Sequence, residues 1–233
     1  MVWPIHSFAI CGVAWYQGES NAYVGMADTY ADLLPAMIGA WRGAWQQPQL
    51  PVIIFQIAPN RKPQVDANEP SGIAVLQEAQ WKTTLKTPLT ALVVTMDLGE
   101  PDVHYHRKEL AADRAKSAAL AYGRDLEYRS PVFDTVKIDE ATAVIRFARC
   151  GGGLVSRDAT LSGFAIAGED RRFVFADARI EVDTVLVSSP SVPHPVAVRY
   201  GWVDLPKTNL FSKEGLPAAP FRTDTWPVLA KGK

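Results

Sequence analysis

The stretch GVAWYQGESNA (12–22) decides how the rest of the chain is read. It opens as an apolar run and stops at Gln17, Gly18, Glu19, Ser20 and Asn21. A continuous apolar run of this length is the pattern of a strand covered on both faces, as in a parallel sheet. Five small or polar residues at its tip form a turn that can present backbone N–H groups and side chains to a ligand.

Working outward, the run FAICGVAWY (8–16) is the first strand. Tyr30, Leu33, Leu34, Met37, Ile38 and Trp41 then recur at helical spacing. Pro35 falls inside that pattern, which predicts a kink or a late helix start there. PVIIFQIA (51–58) and TALVVTMD (90–97) are two further buried-type strands. SGIAVLQEAQWKTTLK (71–86) reads as a helix capped by Ser71, and RKELAADRAKSAALAYG (107–123) as a helix closed by Gly123. The order β-α-β-α-β-α predicts a parallel sheet with helices on both faces and right-handed crossovers. Ligands on such sheets gather beyond the carboxyl ends of the strands. Three strands deliver polar groups to that edge: Gln17 to Asn21, Gln56 with the loop beyond it, and Asp97 to His106.

From about Leu126 the helical pattern ends. Short alternating pieces follow at 135–140, 143–148, 163–168, 171–180, 183–189 and 196–202, separated by Gly, Pro, Asp and Ser. This predicts an antiparallel β-sandwich or roll. The expected division is an α/β domain over 1–125 and a β-rich domain over 126–233. The Pro-rich tail reads as an ordered cover anchored by Leu210, Phe211, Leu216 and Phe221.

With 233 residues, 48% of them hydrophobic and 21% charged, the chain is long enough for one large or two modest packed domains. The net charge of −1 comes without a basic stripe, so nucleic acid is not an expected partner. No apolar run reaches the length of a membrane span, and the first residues lack the basic start of a signal peptide. Cys11 and Cys150 are far apart, belong to no metal-type pair, and read as free thiols, with Cys11 inside the first buried strand.

The chemistry-bearing segment is DLGEPDVHYHRK (97–108), with Asp97, Glu100, Asp102, His104 and His106. A carboxylate beside a histidine orients the imidazole and stabilises its protonated form, as a general base in acyl transfer requires. His-x-His near an Asp also suits zinc, and either histidine could be an ordinary loop residue. In the first stretch, the Gln17 amide is a candidate oxyanion donor and Glu19 a second acid or a helix-capping group. Ser20 lacks the strained elbow of a hydrolase nucleophile.

AICGVAWYQGESNA, Trp41-Arg42, LPVIIFQIAP, MDLGEPDVH with Lys108, and the ending VAVRYGWVDLPKTNLFSKEGLPAAPFRTD together resemble the sialate O-acetylesterases, members of the wider SGNH hydrolases. The resemblance covers nearly the whole chain. It implies an incomplete SGNH-like parallel sheet followed by a β-sandwich-like domain. It also implies a carboxylic ester hydrolase that removes O-acetyl groups from a sugar or glycan by Ser–His acyl transfer, with no cofactor and no metal. His104 matches the family's catalytic histidine and Lys108 the lysine after it. Gln17 and Gly18, followed by Glu19, match the turn that forms the oxyanion pocket. Asp102 is the nearest acid to His104. The wider group places its acid three residues before the histidine, where this chain has Pro101, so Asp97 stays a rival. Tyr105 stands where the family has proline.

In the family the nucleophilic serine lies upstream of WYQGES. Sixteen residues precede Gln17 here, and Ser7, without a Gly-x-Ser context, is the one serine among them. The expectation is a chain that begins mid-domain, with the first strands and the nucleophile outside it. Acetylated sialic acid and acetylated xylan both fit as substrates. A remnant that binds glycans without hydrolysing them is the non-enzymatic alternative.

Overall fold

The structure is a computed structural model that describes residues 3–23, 25–63, 65–120 and 128–228. Its first half alternates strands and helices: β1 (Val13–Tyr16), α1 (Tyr30–Ala44), β2 (Val52–Phe55), α2 (Gly72–Lys86), β3 (Thr90–Val93) and α3 (Lys108–Leu120). The three strands form one sheet in the order β1-β2-β3, and both pairings are parallel.

Alternation along β2 sorts the helices. Val52 and Ile54 point into a core built with Tyr30, Leu34 and Ile38 of α1 and Ile73 and Leu76 of α2. Phe55 points the other way, to Ala111 and Leu110 of α3 together with Ala58, Leu98 and Tyr105. Helices therefore cover both faces, as the strand–helix order predicts. Each fully buried aliphatic side chain, such as Ile38 or Ile54, contributes roughly 1.5–3 kcal/mol.

Some local expectations are corrected. The first strand is shorter than 8–16, and it is not covered on both faces: Ala14 and Tyr16 are exposed. Those residues register with Ile53 and Phe55, on the face where α3 packs against β2 and β3 and does not reach across β1. Cys11 accordingly lies outside the strand and is exposed; both cysteines are free. Burial of Cys150 pushes its thiol pKa up to about 11. Helix α1 starts at Tyr30 and runs through Pro35, with no late start. Ser71 does cap α2, its hydroxyl accepting from the Ala74 N–H at 3.0 Å. Gly123, expected to close the third helix, and the boundary expected near 126 fall outside the described residues.

The second half contains β4 (Val132–Asp139), β5 (Thr142–Ala148), β6 (Leu154–Ser156), β7 (Phe164–Ala167), β8 (Phe173–Phe175), β9 (Asp177–Glu181), β10 (Thr184–Ser188), β11 (Ala197–Tyr200), β12 (Leu210–Ser212) and β13 (Phe221–Arg222). All its pairings are antiparallel, in sheets ordered β4-β5-β10-β9, β13-β11-β7-β8 and β12-β6. The expected single piece at 171–180 is two strands, because the chain leaves β7 as β8 and joins another sheet as β9. One core joins the two four-stranded sheets through Ile145, Val185, Phe164, Val198 and Phe221. The tail is ordered, and it supplies β12 and β13.

Buried polar contacts join the halves. Arg222 holds Glu78 of α2 through two nitrogens, at 3.1 and 3.0 Å. Asp204 accepts from the Ser71 hydroxyl at 2.7 Å and from Arg61 at 3.2 Å. Trp202 packs into the helix-covered core of the first half.

Candidate active site

The carboxyl end of β1 runs into a 3-10 turn at Glu19–Asn21. Gln17 does not swing freely there. Its Nε2 donates to Asn21 Oδ1 at 2.9 Å, and the Tyr30 hydroxyl lies 2.9 Å from its carbonyl oxygen and 3.0 Å from its Oε1. Helix α2 supports the turn from below. Gln80, fully buried, donates to the carbonyls of Gln17 and Phe55 at 3.3 and 3.2 Å and accepts from the Ile57 N–H at 3.0 Å. A Cβ on Gly18 would stand 2.6 Å from Leu76 Cδ2 and 2.9 Å from Ile57 Cγ2, so only glycine lets the turn lie this close to α2.

The loop after β3 is anchored by Asp97. Arg114 of α3 binds both its carboxylate oxygens at 2.8 Å and also donates to the Val94 carbonyl at 2.9 Å. Arg107 donates to the Asp97 carbonyl at 2.7 Å. Gly99 then passes the Pro59 backbone so closely that a Cβ would sit 2.9 Å from the Pro59 oxygen. Beyond it the loop rises to the surface and presents Asp102 and His104.

Asp102 Oδ1 accepts from the His104 backbone N–H at 2.8 Å and lies 3.7 Å from His104 Nδ1. The first is a hydrogen bond; the second is an ion-pair separation beyond hydrogen-bond reach. Both side chains are well exposed, at 80% for His104 and 66% for Asp102. His106 is held by Glu100 through its backbone N–H and its ring Nδ1. The hydrogen bond to Glu100 raises the His106 pKa and lowers that of Glu100. His104 and His106 thus have separate carboxylate partners. Among the described residues no three His, Cys, Asp or Glu side chains gather as metal ligands.

His104 and Lys108 line a cavity of about 630 Å³ together with Glu19, Ser20, Tyr16 and Phe55. Tyr105, Val103, Ala111 and Ala112 complete its wall. Its aromatic side is ordered: Tyr16 meets Phe55 edge-on at 6.0 Å between centroids and Tyr105 at 6.3 Å. Although Tyr16 is open on one side, desolvation of its other side against the cavity wall, with the nearby Glu19 charge, raises its pKa. Of the residues singled out in the sequence, Glu19, Ser20, His104 and Lys108 line this cavity, and Asp102 stands beside His104 on the same loop. Gln17 and Gly18 sit behind the wall, packed on α2. Asp97 is occupied by Arg114. Tyr16, Phe55 and Tyr105 are additions; their signal is that Tyr16 and Phe55 are register partners at the ends of adjacent strands.

A family model described as carbohydrate esterase, sialic acid-specific acetylesterase, matches residues 4–120, which include both site segments. The chain is similar to the sialate O-acetylesterase of Homo sapiens, 28% identical over 161 residues that cover 59% of this chain and 29% of that protein. The Mus musculus sialate O-acetylesterase is 23% identical over 259 aligned positions, covering 95% of this chain and 46% of that protein. Among solved structures, a carbohydrate acetylesterase from Xanthomonas citri superposes with a TM-score of 0.90 at 42% identity, covering 96% of this chain and 52% of that one. The chain spans less than half the length of the curated relatives it matches.

Proposed function

This chain belongs to the sialic acid-specific acetylesterase family of carbohydrate esterases, and from that premise we propose that it hydrolyses O-acetyl esters of sugars, with acetylated sialic acid as the substrate. The observation that carries the reading is His104, exposed beside Asp102 on the wall of a cavity at the carboxyl edge of a parallel sheet.

In this reading Asp102 faces the Nδ1 side of the imidazole and stabilises the charged ring, while Nε2 takes the proton of a serine hydroxyl. The deprotonated oxygen attacks the acetyl carbonyl. The tetrahedral oxyanion falls to the turn that follows β1, whose Glu19 and Ser20 reach the cavity, while Gln17 and Gly18 set that turn from behind the wall. His104 then returns the proton to the departing sugar oxygen, and a second cycle with water releases acetate. The aromatic wall of Tyr16, Phe55 and Tyr105 takes the acetyl methyl and the sugar face. We assign the serine to a segment outside this chain. The presence of Ser20 in the same cavity as His104 supports one other reading, with the nucleophile inside the chain.

The test is acetate release from O-acetylated sialic acid and from acetylated xylan, by the full-length protein with its serine-bearing segment and by His104→Ala in that protein. His104→Ala lowers kcat/KM by about 10²–10⁴-fold, the range of a lost general base. Undiminished activity in that variant overturns the assignment. Loss of the same size in Ser20→Ala places the nucleophile in this chain. Preference for xylan changes the sugar and not the chemistry. Saturable sugar binding without acetate release makes the chain a glycan-binding module.

A further inference from the structure

A cavity of about 520 Å³ opens between the halves and shares no residue with the one at His104. Its floor is the face of the sheet β13-β11-β7-β8 that is turned away from the core of Phe164, Ile166 and Val198. On that face Arg199 of β11, Ala165 of β7 and Phe175 of β8 stand opposite one another in one cross-strand row. Neighbours in such a row share a surface, so the short Ala165 leaves a notch between a guanidinium and a phenyl ring. Trp202 continues the lining, and Val65 and Ala67 bring the loop after β2 of the first half to it.

That loop is fixed. Asn68 Oδ1 accepts from the Phe173 N–H at 2.7 Å and its Nδ2 donates to the Phe173 carbonyl at 2.8 Å, which satisfies both backbone groups of that β8 residue. Asp66 Oδ1 in turn accepts from the Asn68 backbone N–H at 2.9 Å and from its side chain at 2.8 Å. The cavity is therefore formed before any ligand arrives, and its volume lies within the range of about 300–1,000 Å³ common to small-molecule sites.

Its chemistry is two-sided. Phe175 keeps 51% of its surface exposed, so the fold leaves an aromatic ring uncovered at the cavity. Asp177 and Lys207 stand exposed on the same lining, and among the described residues neither side chain has a hydrogen-bond or ion-pair partner. Arg199 differs from them: Asp224 accepts from its guanidinium at 2.8 and 2.9 Å, so its charge is already met. The cavity offers apolar and aromatic surface with one carboxylate and one ammonium whose charges offset each other.

We propose that this cavity binds a neutral pyranose, one ring of a glycan chain that carries no acetyl group. A pyranose has an apolar C–H face and a rim of hydroxyls. The face lies on Phe175 above the Ala165 notch. The hydroxyls donate to Asp177 and accept from Lys207 in charge-assisted bonds, stronger than neutral ones. An acyl chain would leave both charges without partners, and an anion would meet Asp177. The ring lies away from the reacting ester, so the site stands whether or not the chain hydrolyses acetyl groups.

The experiment is calorimetric titration of the whole chain with lactose and with xylotriose, neither of them acetylated. Saturable binding of either supports the site, and the tighter of the two tells whether the ring is a hexose or a pentose. Glucuronate binds about tenfold more weakly than the better neutral sugar. Phe175→Ala and Asp177→Asn each weaken binding by about tenfold. Arg179→Gln, exposed on β9 outside the lining, leaves it unchanged, as does His104→Ala. The proposal is overturned if neither sugar saturates, if glucuronate binds as tightly as they do, or if Phe175→Ala and Asp177→Asn bind like the parent chain. A loss in His104→Ala overturns it too, because the sugar then sits in the other cavity. Should Phe175→Ala fail to fold, Asp177→Asn against Arg179→Gln decides.

Discussion

Asp97 and Asp102 are five residues apart on one loop, and each stands beside a basic side chain, yet their surroundings are opposite. Asp97 is buried, with both oxygens on Arg114 at 2.8 Å and 8% of its side chain exposed. Asp102 stands in solvent, 3.7 Å from a histidine that is itself exposed. A buried, bidentate pair is fixed, because separating it leaves a desolvated charge. An exposed pair is worth little to stability. The same contrast holds between the halves. The carboxylates that join them, Glu78 and Asp204, are buried and bonded, while Asp102 beyond the sheet edge is open.

The largest effect expected from this contrast comes from breaking the fixed pair. Arg114→Ala costs about 3–5 kcal/mol in urea unfolding, and Asp102→Asn shifts the same measurement by less than about 0.5 kcal/mol. Similar losses for the two would erase the distinction between anchor and site. A smaller effect is expected at the support of the first turn. Gln80→Leu leaves the buried Ile57 N–H and the Gln17 carbonyl short of a partner and costs roughly 1–3 kcal/mol. A neutral result would mean that Tyr30 holds the turn by itself.

The smallest effect is at His106. Its pKa lies above the ordinary 6.5 because Glu100 stabilises the charged ring, and the Glu100 pKa lies below its ordinary 4.5. The histidine contribution is full below pH 6.5 and disappears as pH rises through the raised value. The glutamate contribution is full above pH 4.5 and disappears as pH falls through the lowered value. The pair therefore acts between those limits, and NMR titration of Glu100→Gln should return His106 towards 6.5. An unmoved midpoint would separate the two residues.

Much of this was legible in the chain. The spacing of apolar residues marked three strands and three helices, and Ser71 announced the start of α2. A parallel sheet then required the polar segments at 17–21 and 97–106 to share one edge, which is how Glu19 and His104 come to line one cavity. The sequence could not say which of Asp97 and Asp102 stands beside the histidine, because Arg114 lies on the next helix and periodicity does not tell which acid it faces. It could not show that Gln17 is turned towards Tyr30 and Asn21.

What the sequence by itself determined is the order and type of the elements, since these follow from local periodicity, capping and turn chemistry. The tertiary structure decided which charges are structural and which are open. Arg222 finds Glu78 across 144 residues, and Trp202 enters the core of the other half. Burial sets the strength of each charge pair, and burial is a property of the packed molecule.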